Sequence, residues 1–192
     1  RWASSQLLIF KKKDKEKMGR GPIVVCEDGS GSMSGDKELW AKAVSLALAE
    51  VARFQKRSFA WVHFGARYSP LTVKVATGGK VTPELMFSIA ETFLDASGTD
   101  FETPLQKALE IIQEQEFKRA DIVFITDGEC AVSDSFLEDF RRAKKEKEFS
   151  VVGVLVNYGG SCSEASLAEF ADNIVLVSQL SAGEAGEVFE KI

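Results

Sequence analysis

Asp28, Ser30 and Ser32 fall on alternate positions of Glu27-Asp28-Gly29-Ser30-Gly31-Ser32-Met33. This stretch sets a carboxylate and two hydroxyls between glycines that let the chain turn tightly. Oxygen donors without nitrogen or sulfur suit a hard divalent cation such as Mg2+. A second carboxylate, Asp127, stands in Ile125-Thr126-Asp127-Gly128. Between the two lies a polar loop, Asp95-Ala96-Ser97-Gly98-Thr99-Asp100-Phe101-Glu102.

The elements that carry these groups are legible from hydrophobic periodicity. Ile23-Val24-Val25-Cys26 is the short apolar run of a buried strand, and it delivers Asp28 into the turn. Trp40, Val44, Ala47, Leu48, Val51 and Phe54 recur at helical spacing, predicting a helix over 37–56 with those residues on the sheet. Ser58 to Phe64 and Leu71 to Val75 read as strands joined by a short loop, so the second is expected to be an antiparallel edge. Thr82-Pro83 predicts a helix start, with Leu85, Ile89 and Phe93 buried. Thr103-Pro104-Leu105-Gln106 reads as a capping box opening a helix that buries Leu105, Ala108, Leu109 and Ile112. Asp121 to Ile125 is a buried strand leading into Asp127. After it come a helix with Phe136, Phe140 and Ala143, a strand over 149–156, a short helix at Leu167 and Phe170-Ala171, and a strand over 174–177. Ser181 to Glu184 reads as a capping box for a terminal helix turning Val188, Phe189 and Ile192 inward.

Alternation of this kind means an α/β fold: a doubly wound, mostly parallel sheet with one antiparallel edge strand and helices on both faces. Ligand sites in such sheets lie at the carboxyl ends of strands, where strand order reverses. With the usual order, Asp28 and Asp127 end neighbouring strands at one edge.

The 192 residues, 45% of them apolar and 28% charged, suit one soluble domain with a sizeable core. We divide the chain into an N-terminal extension or linker over 1–20, which holds Leu7 to Phe10 and the charged run Lys11 to Lys17, and a domain over 21–192. The net charge of -5 argues against a general nucleic-acid binder. No apolar run is long enough to span a bilayer and no signal peptide is visible, so no membrane partner is expected. The start at Arg1 rather than Met points to a fragment. Cys26, Cys130 and Cys162 are odd in number and widely spaced, which suits reduced thiols in the cytoplasm.

The Asp-x-Ser-x-Ser spacing, the Ser97-Gly98-Thr99-Asp100 loop and Ile125-Thr126-Asp127-Gly128 together resemble the von Willebrand factor A domain. The resemblance covers roughly residues 20–180. It implies a Rossmann-like fold and a metal-ion-dependent adhesion site, with Asp28, Ser30, Ser32, Thr99 and Asp127 as metal ligands. It implies Mg2+ as the ion, with Mn2+ and Ca2+ as alternatives, and a protein partner whose Glu or Asp completes the coordination. The segments 21–26, 40–43, 98–105 and 120–127 resemble prokaryotic intracellular proteins of the ViaA and CoxE types. Those proteins work with AAA+ ATPases of the MoxR family, so such an ATPase or its client is the implied partner. Glu27 stands where relatives usually carry an apolar residue. Strand alternation points it away from Asp28, towards an expected salt bridge.

Blander readings compete. Ser30 and Ser32 could only cap a helix. Asp36 reads as a first-turn acid and Glu129 as a rim residue; Asp100 and Glu102 either orient the Thr99 loop or are solvated acids. His63, the single histidine, reads as a satisfied packing residue, and Trp61 and Phe64 as core. An enzyme is not expected: Gly-x-Ser-x-Gly is absent, and no Lys follows Gly29-Ser30-Gly31-Ser32 to make a phosphate loop. Two alternatives remain: a haloacid dehalogenase-like aspartyl phosphotransferase and an extracellular adhesion domain. The first wants a second Asp where Ser30 stands.

Overall fold

Consecutive buried apolar residues in strands force a sheet covered on both faces. The computed structural model describes residues 21–93, 98–160 and 162–192 and shows this arrangement. The strands are β1 (Ile23–Asp28), β2 (Phe59–Phe64), β3 (Thr72–Ala76), β4 (Asp121–Thr126), β5 (Ser150–Val156) and β6 (Asn173–Val177). The helices are α1 (Asp36–Gln55), α2 (Pro83–Glu91), α3 (Glu102–Gln113), α4 (Asp134–Lys147), α5 (Ala165–Ala168) and α6 (Ala182–Phe189). The six strands run in the order β3-β2-β1-β4-β5-β6. Among the described residues only β3 is antiparallel to its neighbour, pairing with β2 as the expected edge. The 1–20 segment, with Leu7 to Phe10 and the Lys11 to Lys17 run, lies outside the described residues, as do Asp95, Ala96 and Ser97 of the polar loop.

Two apolar layers sandwich the sheet. Odd-numbered β1 residues Ile23 and Val25 pack with Trp61, α1 and α6, while Val24 and Cys26 pack with Phe64, Phe124, α3 and α4. Phe101 meets Phe124 edge-on with ring centroids 4.9 Å apart and has no exposed surface. A fully buried aromatic of this kind stabilises by roughly 1.5–3 kcal/mol. It pins the chain two residues from Thr99.

Several expectations need correction. Phe54 is 86% exposed, because the buried α1 stripe follows Trp40, Ala41, Val44, Leu48 and Ala52 and has turned away by the last turn. Phe93 lies beyond the end of α2 and is exposed, with the Lys42 ammonium over its ring. The Thr103 capping box is not formed. The helix starts two residues earlier than that cap implies, at Glu102, so Thr103 falls in its first turn. Asp100 does the capping, accepting from the Thr103 N–H at 3.2 Å and from its hydroxyl. The caps at Thr82 and Ser181 form as expected, the latter as a full capping box.

Candidate metal centre at the carboxyl edge of the sheet

Parallel pairing of β1 with β4 brings Asp28 and Asp127 to the same edge, across 99 residues of chain. Asp28 ends β1. Its Oδ1 accepts from the Ser30 N–H at 2.8 Å, which closes the turn. Its Oδ2 accepts from Thr126 Oγ1 at 2.6 Å. Thr126 Oγ1 in turn accepts from the Gly128 N–H at 3.0 Å, so one hydroxyl braces both aspartate-bearing loops.

The two serines point into the same place. Ser32 Oγ donates to Asp127 Oδ1 at 2.7 Å, and Ser30 Oγ lies 3.1 Å from Ser32 Oγ. A hydroxyl has one proton, and that of Ser32 goes to Asp127, so Ser30 is the donor between the serines. Neither serine caps a helix through its side chain; the short 3-10 turn Gly31–Met33 that Ser30 precedes has no such bond. The capping explanation for these residues therefore fails.

Thr99 arrives from a third segment. The Asp100 N–H donates to Gly65 O at 3.0 Å, tying the loop to the end of β2. A Cβ built on Gly128 would lie 3.5 Å from Thr99 Oγ1 and 3.7 Å from Thr126 Oγ1. The Thr99 hydroxyl therefore hangs over the residue next to Asp127. All the expected donors gather at one edge of the sheet.

Burial shapes the charge. Asp28 is 1% exposed and Asp127 5%, whereas Ser32 is exposed and Thr99 half-buried, so the cluster opens on the serine and threonine side. Burial pushes the Asp28 carboxyl up to about 6, against the Thr126 and Ser30 hydrogen bonds, with Asp127 raising it further. A cation beside it would favour the charged form. Among the described residues no three His, Cys, Asp or Glu side chains gather as a metal cage. The donor set is thus two carboxylates supplemented by neutral hydroxyls, a chemistry that fits a hard divalent ion.

Two contributors were missed from the sequence. Thr126 is one: its place immediately before Asp127, at the last position of a strand, is the signal that could have found it. Lys37 is the other. From the first turn of α1 its Nζ lies 2.5 Å from Asp127 Oδ2 and donates to Ser32 O at 3.2 Å. Only its helical position, one turn past the serines, hinted at this.

The neighbours of the site also differ from expectation. Glu27 makes no salt bridge among the described residues. It is buried on the α1 face, where Oε2 accepts from Trp61 Nε1 at 2.9 Å and from the Ser45 hydroxyl, and its Oε1 has no hydrogen-bond partner among the described residues. Burial pushes its carboxyl up to about 7. His63 is packing, stacked on Trp61, but it is not satisfied: neither ring nitrogen has a hydrogen-bond partner among the described residues. Trp61 and Phe64 are core. Glu102 accepts from the Ser133 N–H and Glu129 from the Ser163 N–H, so both brace loops. Asp36 is in the first turn of α1 and helps line a cleft of about 390 Å³ on the same edge, with Leu39, Trp40, Tyr158, Gln179 and Leu180.

The comparisons agree with the fold. A model of the von Willebrand factor type A domain matches residues 23–129, and the chain belongs to that family. An uncharacterised Methanocaldococcus jannaschii protein, MJ0811, is 34% identical across the whole chain, which covers 43% of it. A second protein of that organism, MJ0077, is 34% identical over 90% of the chain and 41% of its own length. The chain thus spans less than half the length of these curated relatives. Among solved structures, the von Willebrand factor type A protein of Catenulispora acidiphila superposes with a TM-score of 0.67 at 18% identity, over 90% of this chain and 42% of that one. Proximal thread matrix protein 1 of the mussel byssus, with a zinc-occupied adhesion-site motif, gives 0.66 at 15% identity, over 90% and 46%. These structures share the fold. No helix among the described residues is long and apolar enough to cross a membrane.

Proposed function

We propose that this domain is a metal-dependent protein-interaction module rather than an enzyme. Asp28, Ser30, Ser32, Thr99 and Asp127 would hold one Mg2+, directly or through water. The observation that carries the reading is the hydrogen-bonded chain Ser30–Ser32–Asp127, which joins residues 95 apart in sequence around one point. The bound ion supplies an electrophilic centre for an oxygen ligand from outside, since most of its donors are neutral. Asp28 and Asp127 are both oriented by hydrogen bonds on each oxygen, so they are held in place ahead of any ligand. Ser32 and Thr99 stand on the accessible side, where a partner's Glu or Asp would approach. His63 is sealed inside β2 on the α1 face, which leaves the serines without a histidine base.

The finer reading follows the ViaA and CoxE resemblance: the partner is a MoxR-type AAA+ ATPase or its client, and the setting is the cytoplasm. A pull-down from lysate with and without EDTA, beside Asp28→Ala, is the test. Capture of the ATPase should require both the metal and Asp28. Calorimetry should show Mg2+ binding lost in Asp28→Ala; unchanged Mg2+ affinity in that variant would sink the assignment.

A further inference from the structure

Asp127 is shared. Ser32 donates to its Oδ1, and the Lys37 ammonium sits on its Oδ2. Lys37 is also anchored on the Ser32 carbonyl, and its side chain is 20% exposed, so it is placed at the rim of the site rather than buried beneath it. No other Lys or Arg pairs with either aspartate of the site among the described residues.

We propose that Lys37 is a tethered competitor of the divalent ion for Asp127, and that it weakens the site for the ion alone while favouring ion together with an acidic ligand. This rests on the metal-site reading above. The physical basis is charge. Asp28 and Asp127 balance a divalent ion completely. The Lys37 ammonium then leaves one positive charge in excess, which an incoming carboxylate cancels. Like charges a few ångströms apart repel even in a wet environment. If the ammonium instead swings out, its ion pair with Asp127 must first be broken. Either course costs affinity for the bare ion. Because coupling between two ligands is reciprocal, an acid that relieves the excess charge also tightens the ion. Lys37 is therefore a specificity-determining residue that ties metal loading to partner capture.

The experiment is calorimetric titration of the 192-residue chain with Mg2+ alone, comparing wild type, Lys37→Met, Lys37→Arg and Asp127→Ala. Lys37→Met should bind Mg2+ on the order of tenfold more tightly, while Lys37→Arg, which keeps the charge, should stay near wild type. Thermal melting gives an independent check. Lys37→Met should melt lower than wild type without Mg2+ and gain more from its addition, since tighter ligands stabilise more. Equal or weaker Mg2+ binding by Lys37→Met overturns the proposal, provided that wild type binds and Asp127→Ala does not. If Asp127→Ala binds as well as wild type, the metal-site reading itself falls and takes this inference with it.

Discussion

A single hydroxyl, Thr126 Oγ1, shows how tightly the two aspartate loops are bound to one another, donating to one and accepting from the other. His63 shows the opposite condition at the same scale. Burial, helped by the nearby Lys42 charge, pulls its pKa down to about 4. The folded protein therefore keeps the ring neutral where an unfolded chain would take up a proton. The sign follows: the stability is intact above the ordinary histidine pKa and is lost as pH falls towards about 4. Replacing His63 by Leu removes both the titration and the unpartnered nitrogens. Between about pH 7 and about pH 5, wild type should lose about 2 kcal/mol more than His63→Leu in urea denaturation. Glu27 is raised rather than lowered, so its contribution runs the other way, but it is common to both proteins. Equal pH dependence in the two would contradict this account.

At the scale of elements, β1, β4, β5 and β6 were readable from their apolar runs and β3 from its alternation of apolar and polar residues, and the antiparallel edge followed from the short loop between β2 and β3. The cap of α3 was misread because Thr103 and Gln106 imitate a capping box while Asp100 holds the position that matters. Asp28, Ser30 and Ser32 stood out as candidates by their spacing, and Thr99 and Asp127 by the resemblance; Lys37 and Thr126 did not, because their contacts depend on which loops fold against them. Asp100 links these themes: it caps α3 and, through its N–H on Gly65 O, fixes the loop bearing Thr99. Asp100→Ala should cost about 1 kcal/mol of stability, as lost helix caps do. It should also weaken Mg2+ binding with Asp28 and Asp127 untouched. Unchanged Mg2+ affinity in a destabilised Asp100→Ala would separate the cap from the site.

For the molecule as a whole, the site occupies the middle of one sheet edge, and the opposite edge is secured differently. There Arg57 pairs with Asp121 at 2.9 Å and also donates to Gly21 O, with both charged side chains about 6% exposed. Burial lowers the arginine and raises the aspartate, so each loses more to desolvation than the pair returns. Such a pair specifies where β1, β2 and β4 begin rather than adding much stability.

The placement of β1 and β4 has one more consequence. Each is flanked by a strand on both sides, so its amides are screened from water by the whole sheet. Deuterium should enter them only when the entire domain opens, while amides near Thr99 and Gly128 exchange through local fluctuations. Adding Mg2+ should therefore slow exchange in those two loops first; slowing confined to the strands would mean that the ion acts somewhere else.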